Sequence, residues 1–170
     1  MELISLEQRG ELRRAAHDIR KIELRDHYEI DAAILDAWRT GDKAPAAAQY
    51  GSWAETVAAD LKEGRTWRRV RVVSEPLSEY QRMAVEFGGL GVDAGEDLRW
   101  LPRRLTSILP LPGNDCFILD CEAVMFNVLG GSNERAEFQM DRDSAAVRFC
   151  LDAFDAAWAL AIPHREYHPS

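Results

Sequence analysis

The stretch Arg68-Arg69-Val70-Arg71-Val72-Val73, a turn at Ser74-Glu75-Pro76, a helical stripe, and then Glu96-Asp97-Leu98-Arg99-Trp100-Leu101 constrain this chain more than any other part of it. The valines are β-branched and clustered rather than strictly alternating, which suits a strand covered on both faces. Between the two stretches Leu77, Tyr80, Ala84 and Phe87 recur at helical spacing, and Gly88-Gly89 and Gly91 are expected to break that helix. Strand, helix, strand in this order is the pattern of a βαβ unit with parallel strands. A buried guanidinium without a partner is costly, so Arg69 and Arg71 are expected to meet carboxylates or carbonyls at the sheet's edge or end.

Other elements follow from periodicity and punctuation. Ser5-x-x-Gln8 has capping-box spacing and predicts an opening helix through Leu12, Ala15, Ala16 and Ile19. Ile19 to Arg25 alternates, with Ile22 and Leu24 apolar against Lys21, Glu23 and Arg25, as in a strand with one polar face. Ile30, Ile34, Leu35 and Trp38 make a helical stripe closed by Gly41. Lys43 to Gly51 reads as a loop around Pro45. Ser52-x-x-Glu55 reads as a second capping box, starting a helix with Trp53, Val57 and Leu61 on one side and Gly64 at its end. Pro102 to Asn114 is expected to be an ordered loop with at most a short turn of helix. Cys116 to Leu119, Ala123 to Leu129 and Arg135 to Met140 predict a meander with turns at Asp120-Cys121-Glu122 and Gly130 to Asn133. Val147, Leu151, Phe154, Trp158, Ala161 and Ile162 form a last helical stripe, stopped by Pro163, with Trp158 in the core. The whole predicts one mixed α/β domain over residues 1–170. A mixed sheet carries a central βαβ unit, a C-terminal β-meander and flanking helices.

A length of 170 residues suits one well-buried domain. The net charge of −8 repels a phosphate backbone or an anionic membrane unless positive charge is concentrated on one face, so direct nucleic-acid binding is not expected. The densest basic run, Arg65 to Arg71, falls mostly inside a predicted strand and reads as ion-paired structure. Cys116, Cys121 and Cys150 are odd in number and show no paired metal-ligand spacing, so they are expected to stay reduced, in the cytoplasm. The first residues lack a basic start and a long apolar run. No segment approaches the ~20 apolar residues a bilayer requires, so no membrane association is expected.

No catalytic, cofactor or metal motif emerges. His17, His27, His164 and His168 lack ligand spacing. No serine occupies a Gly-x-Ser-x-Gly elbow, and no strand leads directly into Gly88-Gly89-x-Gly91. Asp115 and Asp120 flank a short strand and read as turn formers rather than an acid–base pair. The tryptophans read mainly as packing residues. Trp100 differs because it follows Arg99 near a strand end, where the two can line a pocket. Ligands in open α/β sheets collect at the carboxyl ends of parallel strands. On that rule Arg71, Glu75, Tyr80, Glu96, Arg99 and Trp100 form either a pocket or a buried ion network.

Arg20-x-x-Glu23-x-Arg25-x-x-Tyr28, Arg69-Val70-Arg71-Val72-Val73-Ser74-Glu75-Pro76-Leu77-x-x-Tyr80, Ala94-Gly95-Glu96-Asp97-Leu98-Arg99, and Asp155-x-x-Trp158…Ala161-x-Pro163-x-x-x-Tyr167 extend over nearly the whole chain. Together they resemble an uncharacterised actinobacterial family of small cytoplasmic proteins, a domain of unknown function often encoded beside helix-turn-helix regulators. The element order is also distantly similar to half of a phospholipase-D-like domain. The catalytic members of that fold use His-x-Lys, which is absent here, so the resemblance implies no such chemistry. The expected function is a non-enzymatic regulatory or interaction protein partnered by a helix-turn-helix regulator. The rival is a small-molecule sensor or enzyme with a pocket at the carboxyl ends of the central strands.

Overall fold

In the computed structural model, which describes residues 1–169, one mixed eight-stranded sheet carries helices on both faces. The strands are β1 (Glu2–Ile4), β2 (Asp18–Glu23), β3 (Thr66–Val73), β4 (Asp97–Pro102), β5 (Asp115–Leu119), β6 (Ala123–Leu129), β7 (Arg135–Asp141) and β8 (Ile162–Pro163). The helices are α1 (Leu6–Ala15), α2 (Ala32–Arg39), α3 (Ala44–Lys62), α4 (Glu79–Asp93) and α5 (Ser144–Leu160). Across the sheet the order is β1-β7-β6-β5-β2-β3-β4-β8. Strands β2, β3 and β4 are mutually parallel, and the antiparallel meander β5-β6-β7 joins them at β2. The expected βαβ unit is β3-α4-β4. A second parallel crossover, β2 to β3 through α2 and α3, was not read from the sequence.

Three local expectations are corrected. Residues 44–51 are helical rather than a loop, and Ser52 lies inside α3, so it caps nothing. Pro45 stands in the first turn of α3, where its missing N–H would have had no intrahelical partner in any case. Nor do the glycines break α4, which runs on to Asp93. Instead they let it approach its neighbours. A Cβ on Gly88 would lie 3.1 Å from Leu98 and from His164, and one on Gly91 only 2.6 Å from Glu96 Oε2. Just beyond the helix comes Gly95, whose φ of +111° belongs to the region that favours glycine.

Some expected local signals appear as read. Ser5 Oγ accepts the Gln8 N–H at 3.1 Å while Gln8 Oε1 accepts the Ser5 N–H at 2.8 Å, a complete capping box for α1. Asp143 caps α5 by accepting the Ala145 N–H at 2.9 Å. Helix α5 buries Cys150, Ala153, Phe154 and Ala157 against Ile22, Val70, Val72 and Leu101, the apolar centre of one face of the central strands. Trp158 lies at the margin of this core, half-buried and stacked on Phe154. The opposite face is apolar at both ends, around Trp67, Phe117 and Met125 on one side and Val73, Leu98 and Trp100 on the other. Between those clusters it is charged.

Candidate functional site

Alternation along neighbouring strands creates the site. Lys21 and Glu23 of β2 and Arg69 and Arg71 of β3 are each two residues apart, so all four point to the same face of the sheet. The parallel register sets Lys21 beside Arg69 and Glu23 beside Arg71. Glu23 and Arg71 are each 5% exposed. Arg71 Nε lies 2.6 Å from Glu23 Oε2, Arg69 Nη1 lies 3.5 Å from Glu23 Oε1, and the Lys21 ammonium also pairs with Glu23. Arg69 Nε has a second carboxylate, Glu96, at 2.7 Å. Glu96 in turn accepts the Trp53 indole N–H at 2.7 Å, and the Arg69 guanidinium stacks 4.7 Å from the Trp53 ring centre. The expectation that Arg69 and Arg71 meet carboxylates is met.

Over this floor lies a cavity of about 530 Å³. Six cationic side chains line it, Arg9, Arg13, Lys21, Arg69, Arg71 and Arg135, against the three carboxylates Glu23, Asp31 and Asp115. Tyr28, Tyr50 and Tyr80 form one wall. The Tyr28 hydroxyl donates to Asp115 Oδ2 at 2.6 Å and the Tyr80 hydroxyl to Asp31 Oδ2 at 2.8 Å. The Asp115 side chain also accepts the Leu24 N–H at 2.8 Å, so it joins β5 to the end of β2 rather than forming a turn.

Charge crowding shifts these groups in opposite directions. Burial pushes Glu23 up, but Arg71, Lys21 and Arg69 together hold its carboxyl far below the usual range. Burial lowers Lys21 to about 8 despite the opposing pull of Glu23. Burial and the charge of Glu23 raise Asp115. Burial raises Tyr28, Tyr50 and Tyr80 as well, so the wall presents protonated hydroxyls at neutral pH. Arg71 is raised well above the ordinary guanidinium, burial being outweighed by Glu23. Its Nη1 is nevertheless buried without a hydrogen-bond partner among the described residues.

The sequence-derived cluster is thereby divided. Arg71 and Tyr80 line the cavity, and Glu96 stands behind it holding Arg69. Trp100 lies under Arg71, 5.7 Å from its guanidinium, stacked on Tyr167 and donating to His164 Nδ1 at 3.0 Å. Glu75 is elsewhere, pairing with Arg104 and accepting the Tyr167 hydroxyl at 2.9 Å. Arg99 is on the opposite face, 4.0 Å from the Trp158 ring centre. No Arg71–Glu75–Arg99 group exists.

The crevice at the strand ends is occupied by Arg103, which donates to the Leu24 carbonyl at 2.6 Å, the Val72 carbonyl at 3.3 Å and Ser74 Oγ at 2.9 Å. Sequence reading missed Arg9, Arg13, Lys21, Glu23, Tyr28, Tyr50, Asp115 and Arg135 as site residues. The usable signal was the paired Lys-x-Glu and Arg-x-Arg alternation, which reads equally as a solvated strand face.

Fold and pocket together define a mixed α/β protein with a positively charged, tyrosine-walled cavity on one sheet face. Residues 7–169 match the family described as a domain of unknown function, DUF6879, and the chain belongs to that family. A comparison with curated proteins returned no match. Among the described residues no His, Cys, Asp and Glu side chains are grouped to hold a metal ion, and no helix is long and apolar enough to cross a membrane.

Proposed function

We propose that this protein is a small-molecule sensor that takes an anionic ligand in the cavity above β2 and β3. The observation that carries this reading is Arg71: a guanidinium only 5% exposed that lines the cavity and shares its one carboxylate, Glu23, with Arg69 and Lys21. A buried charge that is only partly compensated is costly. A ligand anion relieves that cost. Twice as many cations as carboxylates surround the cavity, on a chain whose overall charge is −8, so positive potential is focused there.

The same separation of charge supports a regulatory role in the cytoplasm beside a DNA-binding partner. With positive charge gathered inside, the exterior is acidic and suits a protein surface better than a phosphate backbone. The actinobacterial resemblance supplies the class of partner, a helix-turn-helix regulator. The similarity to half of a phospholipase-D-like domain rests on element order, and without His-x-Lys we assign no phosphodiester chemistry to the pocket.

Native mass spectrometry of freshly purified protein tests the sensor reading. The expected result is a retained organic or inorganic anion that is lost from the Glu23→Gln/Arg71→Met double variant. That variant removes one charge of each sign while leaving Lys21 an amide carbonyl. The reading fails if the wild-type protein is empty and its melting temperature is unmoved by a panel of organic acids and phosphates. Co-purification of a helix-turn-helix protein with the ligand-free chain, and its release by the ligand, is the outcome expected for the regulatory role.

A further inference from the structure

The cavity has an outer end whose chemistry is more selective than its floor. Arg9 and Arg13 stand four residues apart on α1, one turn along the same face, and Arg135 reaches the same end of the cavity from β7. Burial, with the nearby charges of Arg135 and Arg13, lowers Arg9 to about 10. Its guanidinium lies 4.9 Å from the Phe117 ring centre and 5.0 Å from that of Phe138, and its Nε donates to Asn127 Oδ1 at 3.0 Å. Ring contacts and one amide fix it in place without neutralising it. Arg13 is 3.6 Å from Asp60, but that carboxylate is already held at 2.8 Å by Arg65 and at 2.8 Å by the Trp67 indole. Arg135 is exposed and has no carboxylate in ion-pair range among the described residues. Three guanidiniums therefore converge with little local compensation.

Building on the sensor reading, we infer that the ligand is a phosphomonoester. Its phosphate sits on Arg9, Arg13 and Arg135, and its organic body reaches past Phe117 toward Arg71 and the tyrosine wall. A single carboxylate engages one guanidinium fork. A phosphate carries close to two charges and three terminal oxygens, and so answers three guanidiniums at once. The two ends belong to one site: Arg9 and the Lys21 ammonium lie 4.9 and 5.0 Å from the centre of the same Phe117 ring. The Tyr28 and Tyr80 hydroxyls, which already donate to Asp115 and Asp31, can accept from donors on the body, and a cavity of about 530 Å³ admits a body of one or two rings.

Isothermal titration of the full chain with phenyl phosphate, inorganic phosphate and benzoate separates the alternatives. Phenyl phosphate is expected to bind at least tenfold more tightly than either of the others. In Arg9→Gln/Arg135→Gln, whose fold is checked by circular dichroism, its affinity is expected to fall at least tenfold while that of benzoate is unchanged. Arg135→Lys, which keeps the charge on an exposed side chain and leaves the fold intact, is expected to lose only part of the affinity.

Equal affinity for benzoate and phenyl phosphate, or an unaltered phenyl phosphate affinity in the double variant, overturns the phosphomonoester while leaving an anion pocket in place. Inorganic phosphate binding as tightly as phenyl phosphate overturns the role of the organic body. Failure of all three probes, with an empty wild-type protein by native mass spectrometry, overturns this inference and the sensor reading together.

Discussion

Arg71 and Glu23 are register partners on adjacent parallel strands, with Nε and Oε2 2.6 Å apart in the interior of the protein. Glu23 also serves Arg69 and Lys21, so one carboxylate organises three cations. Removing one member of a buried pair strands the others. Glu23→Gln and Arg71→Met are each expected to lower stability by about 3–5 kcal/mol, and the double change to recover much of that loss. Urea denaturation of the three variants checks this, and additive losses in the double variant would contradict the pairing.

Acid stability is expected to depend on the same carboxylate. The folded-state pKa of Glu23 is held well below its ordinary 4.5, so its contribution is present above that value and is lost as pH falls below it. Denaturation midpoints between about pH 5 and 3 should fall less steeply for Glu23→Gln than for the wild-type protein.

On the alkaline side the governing group is Lys21, lowered by burial from 10.5 to about 8. In that interval the unfolded chain binds the extra proton, so stability from this group rises with pH above 8. Relative to Lys21→Met, the wild-type protein is expected to gain stability from about pH 8 to 9.5, before tyrosines titrate in the unfolded chain. A difference independent of pH would show that the ammonium is not depressed.

Arg99 is expected to be irrelevant to the cavity, since it stacks on Trp158 across the sheet. Arg99→Met should change stability by no more than about 1 kcal/mol and leave ligand affinity intact. Trp158→Ala, at a half-buried position packed on Phe154, should cost about 2–3 kcal/mol, less than a fully enclosed tryptophan. Loss of binding in Arg99→Met would reinstate the cluster that the sheet geometry divides.

All three cysteines are unbridged, and Cys121 alone is exposed, at a turn with φ of 59°. Titration with a thiol reagent is expected to find one reactive group in the native protein and three after denaturation under non-reducing conditions. Cys116 and Cys150 are shielded by the core they share. Two fast-reacting thiols in the native state would mean that α5 opens locally from the sheet.

Much of this architecture is written locally. The capping box at Ser5 and Gln8, the valine cluster of β3, the meander from Asp115 to Asp141 and the stripe of α5 depend on neighbours within a few residues, and each formed close to where periodicity put it. Short-range rules also misled where tertiary contact overrode them. Gly88 and Gly91 break an isolated helix, but here the missing Cβ admits Leu98 and Glu96, and packing offsets the weak propensity.

The sequence by itself determined that strands and helices alternate, that Arg69 and Arg71 share a face, and that the chain carries a net charge of −8. Only the tertiary structure decided which carboxylates those arginines meet, because register with β2 and the closeness of α4 to β4 bring Glu23 and Glu96 in from 46 and 27 residues away along the chain. It alone decided that Arg99 faces α5 while Trp100 lies under Arg71, since alternation puts adjacent strand residues on opposite faces without saying what covers either one. It alone gathered Arg9, Arg13 and Arg135 around one cavity. Charges near in sequence were separated by the sheet's pleat, and charges far apart were joined by its register.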